Sequence, residues 1–220
     1  MKFHPARCRV FLFYTEKIMN IYLVRHGETD WNRRLLFQGH TDIPLNKKGL
    51  SQAKRIGKEF CGKKIDAIIS SDLMRAVQTA EQIKSVLGFK GRIQKDRLFR
   101  ERNYGQLEGK KYESGLRDED YGVEIDYSFF KRIKKGFLKV IKENKAEANI
   151  IIVCHGGVVR GILALVLELK NYKRLRMYNA SISEVHLNEK RNAYFVTLFN
   201  SISHLSKQDR EEIREHLKGI

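Results

Sequence analysis

Proline, cysteine, tryptophan and acidic side chains are scarce in this chain of 220 residues, and each shortage removes a class of protein. Only Pro5 and Pro44 break the backbone, and 42% of residues are hydrophobic, so the chain is neither disordered nor fibrous. Cys8, Cys61 and Cys154 make no disulfide framework and no CxxC pair. They suit a reducing, cytoplasmic setting. Cys154 stands beside a histidine, but it closes an apolar run and reads as a small core residue. No apolar run approaches the length of a membrane span, so no membrane partner is expected. Repeats, low-complexity segments and linkers rich in Pro, Gly or Ser are missing as well.

Acid is outnumbered, with 26 Asp and Glu against 43 Lys and Arg, a formal net charge of +17. That balance raises nucleic-acid binding as a reading. The largest basic cluster, Lys131 to Lys142, carries apolar residues at 130, 133, 137, 140 and 141. This is helical spacing, so its lysines form the solvated face of a packed helix, and no nucleic-acid partner is expected. The excess charge would still draw anionic substrates inward.

The length suits one domain with a full core. Residues 1–18 are basic and include Val10-Phe-Leu-Phe-Tyr14, yet lack the longer apolar stretch and small-residue cleavage site of a secretory signal. Met19 stands directly before the first strand, as a start residue would. The expected organisation is an N-terminal extension over 1–18, with a short basic presequence as the competing reading, followed by a single domain over 19–220. Apolar spacing predicts helices over 50–60, 73–87, 156–169 and 206–218, with Ser71 or Asp72 capping the second. Strands are expected at 20–25, 66–70, 92–95 and 149–154, and a terminal pair at 181–187 and 193–198. Strands alternating with helices predict an α/β three-layer sandwich, its sheet mostly parallel but mixed by the final hairpin.

The chemistry is concentrated in Tyr22-Leu-Val-Arg-His-Gly-Glu-Thr-Asp-Trp-Asn32. A short apolar strand ends abruptly at Gly27, which leaves Arg25 and His26 at the carboxyl end, where open α/β sheets place ligands. Asn149-Ile-Ile-Ile-Val-Cys-His-Gly-Gly157 repeats the arrangement with His155. Ser70-Ser-Asp-Leu-Met-Arg75 and Phe99-Arg-Glu101-Arg-Asn-Tyr-Gly-Gln-Leu-Glu-Gly109 add an arginine and a carboxylic acid. Singly, His26 and His155 could be satisfied core histidines and Arg75 a surface residue.

Four such motifs, in this order between Ile21 and Val185, resemble the histidine phosphatase superfamily, also called phosphoglycerate mutase-like. The resemblance implies that fold, with His26 as nucleophile, Glu101 as general acid and base, and Arg25, Arg75 and His155 as a phosphate pocket. Asn32, Gln38 and Gly39 match the family's phosphate loop. The chemistry is coherent with this. Two guanidinium forks suit phosphate oxygens, and His155 and the amides from Gly156 onward add donors. Asn32 and Gln38 add uncharged donors. His26 must be neutral to attack, and neighbouring arginines favour that form. A phosphohistidine would follow, then hydrolysis by water, with no metal and no cofactor.

Glu28, Glu108 and Glu113 rival Glu101, which is preferred because Arg-Glu-Arg followed by Tyr-Gly matches the family's acid segment. His40 reads as a surface loop histidine, and a metal site of His26, His40 and His155 is disfavoured by the adjacent arginines. Arg102 to Gly105 and Lys110-Lys111 resemble the cofactor-dependent phosphoglycerate mutases. However, only 54 residues separate Glu101 from His155, without the mutases' paired-arginine insertion. The expected function is therefore a metal-independent phosphomonoesterase acting on a small phosphorylated metabolite, with a phosphoglycerate mutase as the alternative. A nucleic-acid binder on a silent fold is a third reading. Specificity is expected from 105–130 and from Lys173, Arg174 and Arg176, with Tyr104, Tyr112 and Tyr121 stacking on a ring or covering the core. A sugar phosphate, a nucleotide, α-ribazole phosphate and a phosphoprotein are all open substrates.

Overall fold

The computed structural model describes residues 17–112, 117–170, 172, 175–188, 190, 191 and 193–218. Residues 1–16, Glu113, Lys173 and Arg174 lie outside these. Six strands form one sheet: β1 Ile18–Arg25, β2 Ala67–Ser70, β3 Ile93–Lys95, β4 Asn149–Cys154, β5 Ile182–Asn188 and β6 Ala193–Ser201. Their order is β3-β2-β4-β1-β5-β6. Pairs among β3, β2, β4 and β1 are parallel, while β5 is antiparallel to both β1 and β6. This is the expected mixed sheet, and β6 runs three residues beyond the predicted strand.

Register along β1 shows why the sheet has two covered faces. Met19, Ile21 and Leu23 point into one apolar layer, Tyr22 and Val24 into the other. The first layer packs under α4, Asp126–Glu143, and α5, Gly156–Leu167. The second packs under α2, Lys47–Glu59, and α3, Met74–Leu87, with α6, Lys207–Lys218, adding Ile213. Central β4 is apolar along both faces, as a strand covered twice must be.

Helix α4 buries Phe129, Ile133, Phe137 and Val140, so its lysines are on the solvent side as expected. Among its basic residues Arg132 turns inward. The expected cap of α3 is not formed. Leu73 holds that position without a side-chain bond, because Ser71 is engaged by His155 and Asp72 by Arg100. Among the described residues no helix is long and apolar enough to cross a membrane.

Candidate active site

Parallel pairing of β1 with β4 sets Arg25 opposite Cys154, so His26 and His155 leave two neighbouring strands at the same level. The His26 amide donates to the Cys154 carbonyl at 3.0 Å, and its own carbonyl accepts from Ala180 at 3.0 Å. The two imidazoles meet edge to face with centroids 5.1 Å apart. Both are buried. Gly27 makes the turn possible: a Cβ there would lie 2.5 Å from the Gly49 carbonyl oxygen. The backbone after β1 thus lies directly against the start of α2.

His26 Nδ1 lies 2.7 Å from the Gly27 carbonyl. A carbonyl only accepts, so Nδ1 carries the proton and Nε2 keeps its lone pair. Burial first, then Arg75 and Arg25, hold the His26 pKa well below the ordinary imidazole value. The arginines alone are the smaller cause. The arginines are legible in the sequence, whereas desolvation comes only with the packed fold.

Arg75 is fully buried and bonds the Gly39 carbonyl at 2.7 Å, the Thr41 carbonyl at 2.9 Å and His155 Nδ1 at 3.2 Å. Burial pushes its pKa down to about 10, which leaves it charged near neutrality. Arg25 donates to the Met177 carbonyl, while its buried Nε has no hydrogen-bond partner. His155, expected as a donor to the phosphate, has both ring nitrogens engaged within the protein. Nδ1 accepts from Arg75, Nε2 lies 2.9 Å from Ser71 Oγ, and burial with Arg75 depresses its pKa, so it is neutral.

Asn32 and Gln38 are turned by a residue the sequence reasoning missed. Thr29 caps the short helix α1, Asp30–Arg33, and its hydroxyl lies 3.0 Å from Asn32 Oδ1 and 3.1 Å from Gln38 Oε1. Both amide NH₂ ends remain for a ligand, and both residues line the cavity. Asn32 is in α1 rather than in a loop. Asn179, also unforeseen, donates to Asn32 Oδ1 at 3.0 Å and ties the Met177 loop to this corner.

Glu101 faces the same cavity, its carboxylate accepting from the Arg102 amide at 2.9 Å and the Gly157 amide at 3.0 Å. The rivals have other work. Glu108 accepts from the amides of His40, Thr41 and Tyr104 and holds the loop that clamps Arg75. Glu28 bonds Asn46 at 2.8 Å and lies 3.6 Å from Lys48. Glu113 lies outside the described residues. His40 is no surface histidine: half-buried, it bonds the Glu101 carbonyl at 2.9 Å. Arg132 reaches that same carbonyl at 2.6 Å and also those of Leu98 and Arg100. These contacts span more than 30 residues of sequence, which is why local pattern did not show them. Among the described residues no cluster of His, Cys, Asp or Glu could hold a metal ion.

Arg25, His26, Asn32, Gln38, Gly39, Arg75, Glu101 and Gly156 line a cavity of about 1150 Å³, whereas His155 is fully buried and is not part of its wall. Phe37 meets Tyr112 edge to face and Tyr104 at a tilt, centroids 4.2 and 4.8 Å apart, and so backs the two tyrosines that line the cavity. Among the described residues of 105–130 only Tyr112 lines this cavity, and Arg176 reaches it from the Met177 loop. Lys110 instead covers the Tyr121 ring at 4.8 Å, so neither that lysine nor Tyr121 faces the cavity.

Paired histidines and buried arginines at the strand ends of a mixed α/β sandwich define an enzyme built for anionic substrates. The sequence profile of the histidine phosphatase superfamily (branch 1) matches residues 21–200. A metal-independent phosphoserine phosphatase of Arabidopsis thaliana is 31% identical over 210 residues, 86% of this chain and 84% of that one. Phosphoglycerate mutase-like protein 4 of the same plant is 35% identical over 160 residues, covering 64% and 68%. A phosphoserine phosphatase mutant of Entamoeba histolytica, solved with phosphoserine, aligns with a TM-score of 0.73 at 26% identity over 86% of this chain and all of that one. The chain belongs to the histidine phosphatase superfamily, and it is an enzyme of the phosphatase class.

Proposed function

We propose that the protein is a metal-independent phosphomonoester hydrolase working through a phosphohistidine on His26. The observation that carries this reading is the 2.7 Å bond from Nδ1 to the Gly27 carbonyl, which leaves Nε2 as a lone pair among two guanidinium groups. Arg25, Arg75, Asn32, Gln38 and the Gly156 end of α5 would hold the phosphoryl group. His155 would complete the pocket, with Gly39 lending its carbonyl to Arg75. Nε2 forms the N–P bond while the ester P–O bond breaks, and Glu101 gives the leaving oxygen its proton. In the second step water attacks phosphorus, the N–P bond breaks and Glu101 takes the proton.

The substrate is a small phosphorylated metabolite. The names of the relatives put phosphoserine and 3-phosphoglycerate first among those to try. The cytoplasmic setting rests on Cys61 and Cys154, both free thiols. The mutase alternative draws on the mutase-like relatives, and the position of Lys110 speaks against it.

The test is hydrolysis of phosphomonoesters in EDTA by wild type and His26→Ala, run beside 3-phosphoglycerate isomerisation with and without bisphosphoglycerate. Hydrolysis that survives EDTA and vanishes in the variant supports the reading. Isomerisation far exceeding hydrolysis would replace it with the mutase, and silence in both assays would sink it.

A further inference from the structure

Asn200 takes no part in the proposed chemistry, yet it holds a backbone position that few residues adopt. It lies in the stretch of β6 beyond the predicted strand, beside shifts in the β5–β6 register at Ile182 and Glu184. Irregularities of this kind re-aim a side chain. Its φ is +49°, in the left-handed region, which asparagine tolerates better than most residues. Asn200 is buried, and its amide donates to Ser183 Oγ at 2.9 Å, which anchors the backbone from which the carboxamide reaches out. Oδ1 accepts from the Tyr178 amide at 2.9 Å, and Nδ2 donates to the Arg176 carbonyl at 2.8 Å. The side chain thus bridges the loop before β5 on both sides of Met177.

The Met177 carbonyl and the Tyr178 N–H belong to one planar trans peptide and point in opposite directions. Asn200 holds the N–H end, and the carbonyl end accepts from Arg25 Nη1. A rigid plane gripped at one edge passes its rotation to whatever is bonded at the other. The Met177 side chain is buried in the layer under α4 and α5, which fixes the depth of the loop but leaves the rotation of this peptide to its hydrogen bonds. Rotation counts at Arg25. Its Nε is buried without a hydrogen-bond partner among the described residues, and a Cβ on Gly156 would lie 3.4 Å from it. That places the guanidinium at the start of α5, where the phosphoryl group would sit. The same loop sends the Asn179 side chain to Asn32 Oδ1 at 3.0 Å and the Ala180 amide to the His26 carbonyl at 3.0 Å. Arg25, His26 and Asn32 therefore all lean on one short stretch of chain.

We propose that Asn200 is a positioning residue for the phosphate pocket, setting the rotation of the Arg25 guanidinium through the Met177–Tyr178 peptide. The inference rests on the phosphomonoesterase reading above. Only one placement of the carboxamide serves both neighbours, since the Tyr178 N–H needs an acceptor and the Arg176 carbonyl a donor. Aspartate keeps the shape but sets an oxygen against the Arg176 carbonyl. Glycine keeps the left-handed backbone and removes the bridge. Lysine at position 25 keeps the charge but has no planar fork to aim.

The experiment measures hydrolysis of alkyl phosphates in EDTA, and calorimetric binding of inorganic phosphate, for wild type, Asn200→Gly, Arg25→Lys and the double variant, with circular dichroism as the check on folding. Asn200→Gly is expected to lose about 10- to 100-fold in kcat/KM and to bind phosphate more weakly, as a misaimed contact should. On the Arg25→Lys background the same substitution should cost less than about threefold, because the plane it aims is gone. Asn200→Asp keeps the Tyr178 bond and should fall between wild type and Asn200→Gly; it takes the place of the glycine variant if that one does not fold. A folded Asn200→Gly within about threefold of wild type, or an equal loss on both backgrounds, overturns the positioning role and leaves the phosphomonoesterase standing. A bridge that served stability alone would give one of those two results. No hydrolysis by wild type overturns the phosphomonoesterase, and phosphate binding then decides the positioning role: a loss that disappears with Arg25→Lys supports it, and any other pattern refutes it.

Discussion

Gly157→Ala separates the position of the Glu101 carboxyl from the stability of the fold. A Cβ on residue 157 would lie 2.2 Å from Glu101 Oε1, 3.2 Å from its Cδ and 3.3 Å from Phe129 Cζ. Carbon contacts settle at about 3.5 Å or more, so the carboxylate must retreat by roughly 1 Å, since Phe129 is buried in the core. The backbone cannot follow. His40 at 2.9 Å and Arg132 at 2.6 Å hold the Glu101 carbonyl, so the side chain alone swings away. A misplacement of about 1 Å costs on the order of 100-fold, within the 10²–10⁴ that a general acid contributes. The fall should be full on alkyl phosphates, whose leaving oxygen needs a proton, and smaller on p-nitrophenyl phosphate. Folding should change by no more than about 1 kcal/mol, because alanine improves helix propensity while crowding one ring edge. Combining Gly157→Ala with Glu101→Gln should lower kcat/KM little further, as two lesions in one function do not add. A folded Gly157→Ala protein that hydrolyses alkyl phosphates within threefold of wild type would refute Glu101 as the proton donor.

Other perturbations follow from the same contacts. His26 and His155 both have pKa values depressed well below 6.5, so below that pH the unfolded chain binds protons that the folded protein does not. Stability should be full above about pH 6.5 and decline as pH falls below it. Thermal melts should show His26→Asn with a shallower decline, and an unchanged slope would mean that His26 does not fold neutral. Glu108→Ala strips the acceptor from three backbone amides and should cost about 2–4 kcal/mol in urea unfolding, with Glu108→Gln losing less. Arg132→Met removes bonds to three carbonyls around Glu101. It should lower kcat more than it raises KM, and wild-type kcat in a folded variant would show that the clamp is idle.

How much of this was legible in the sequence depends on how far each residue acts from its own segment. Arg25, His26 and His155 could be placed because an apolar strand ending in glycine announces its own carboxyl end. That β1 and β4 are neighbours is a property of sheet order, yet the parallel register is what brings the two imidazoles within 5.1 Å. Glu101 stands out from Glu108 in the sequence only by its match to the family's acid segment, since what separates them physically is whose amides each carboxylate accepts. His40, Asn179 and Arg132 act on groups brought close by folding, mostly on backbone oxygens that any residue could supply, so side-chain pattern carries no trace of them, whereas Thr29 sits three residues before Asn32 in the capping box of α1, a local signal. Desolvation of His26 was missed for the same reason: burial belongs to the packed layers on both sides of the strand.

Arg160 is different, because a signal for it was present. Its helix reads Gly-Gly-Val-Val-Arg-Gly-Ile-Leu-Ala-Leu-Val-Leu, with a single charge among residues that bury almost throughout. Placing a guanidinium in such a helix is costly unless it meets a polar space or an opposite charge. A lone arginine one turn beyond a glycine pair at a strand end is therefore a pointer to a cavity on that face, and Arg160 does line the main cavity.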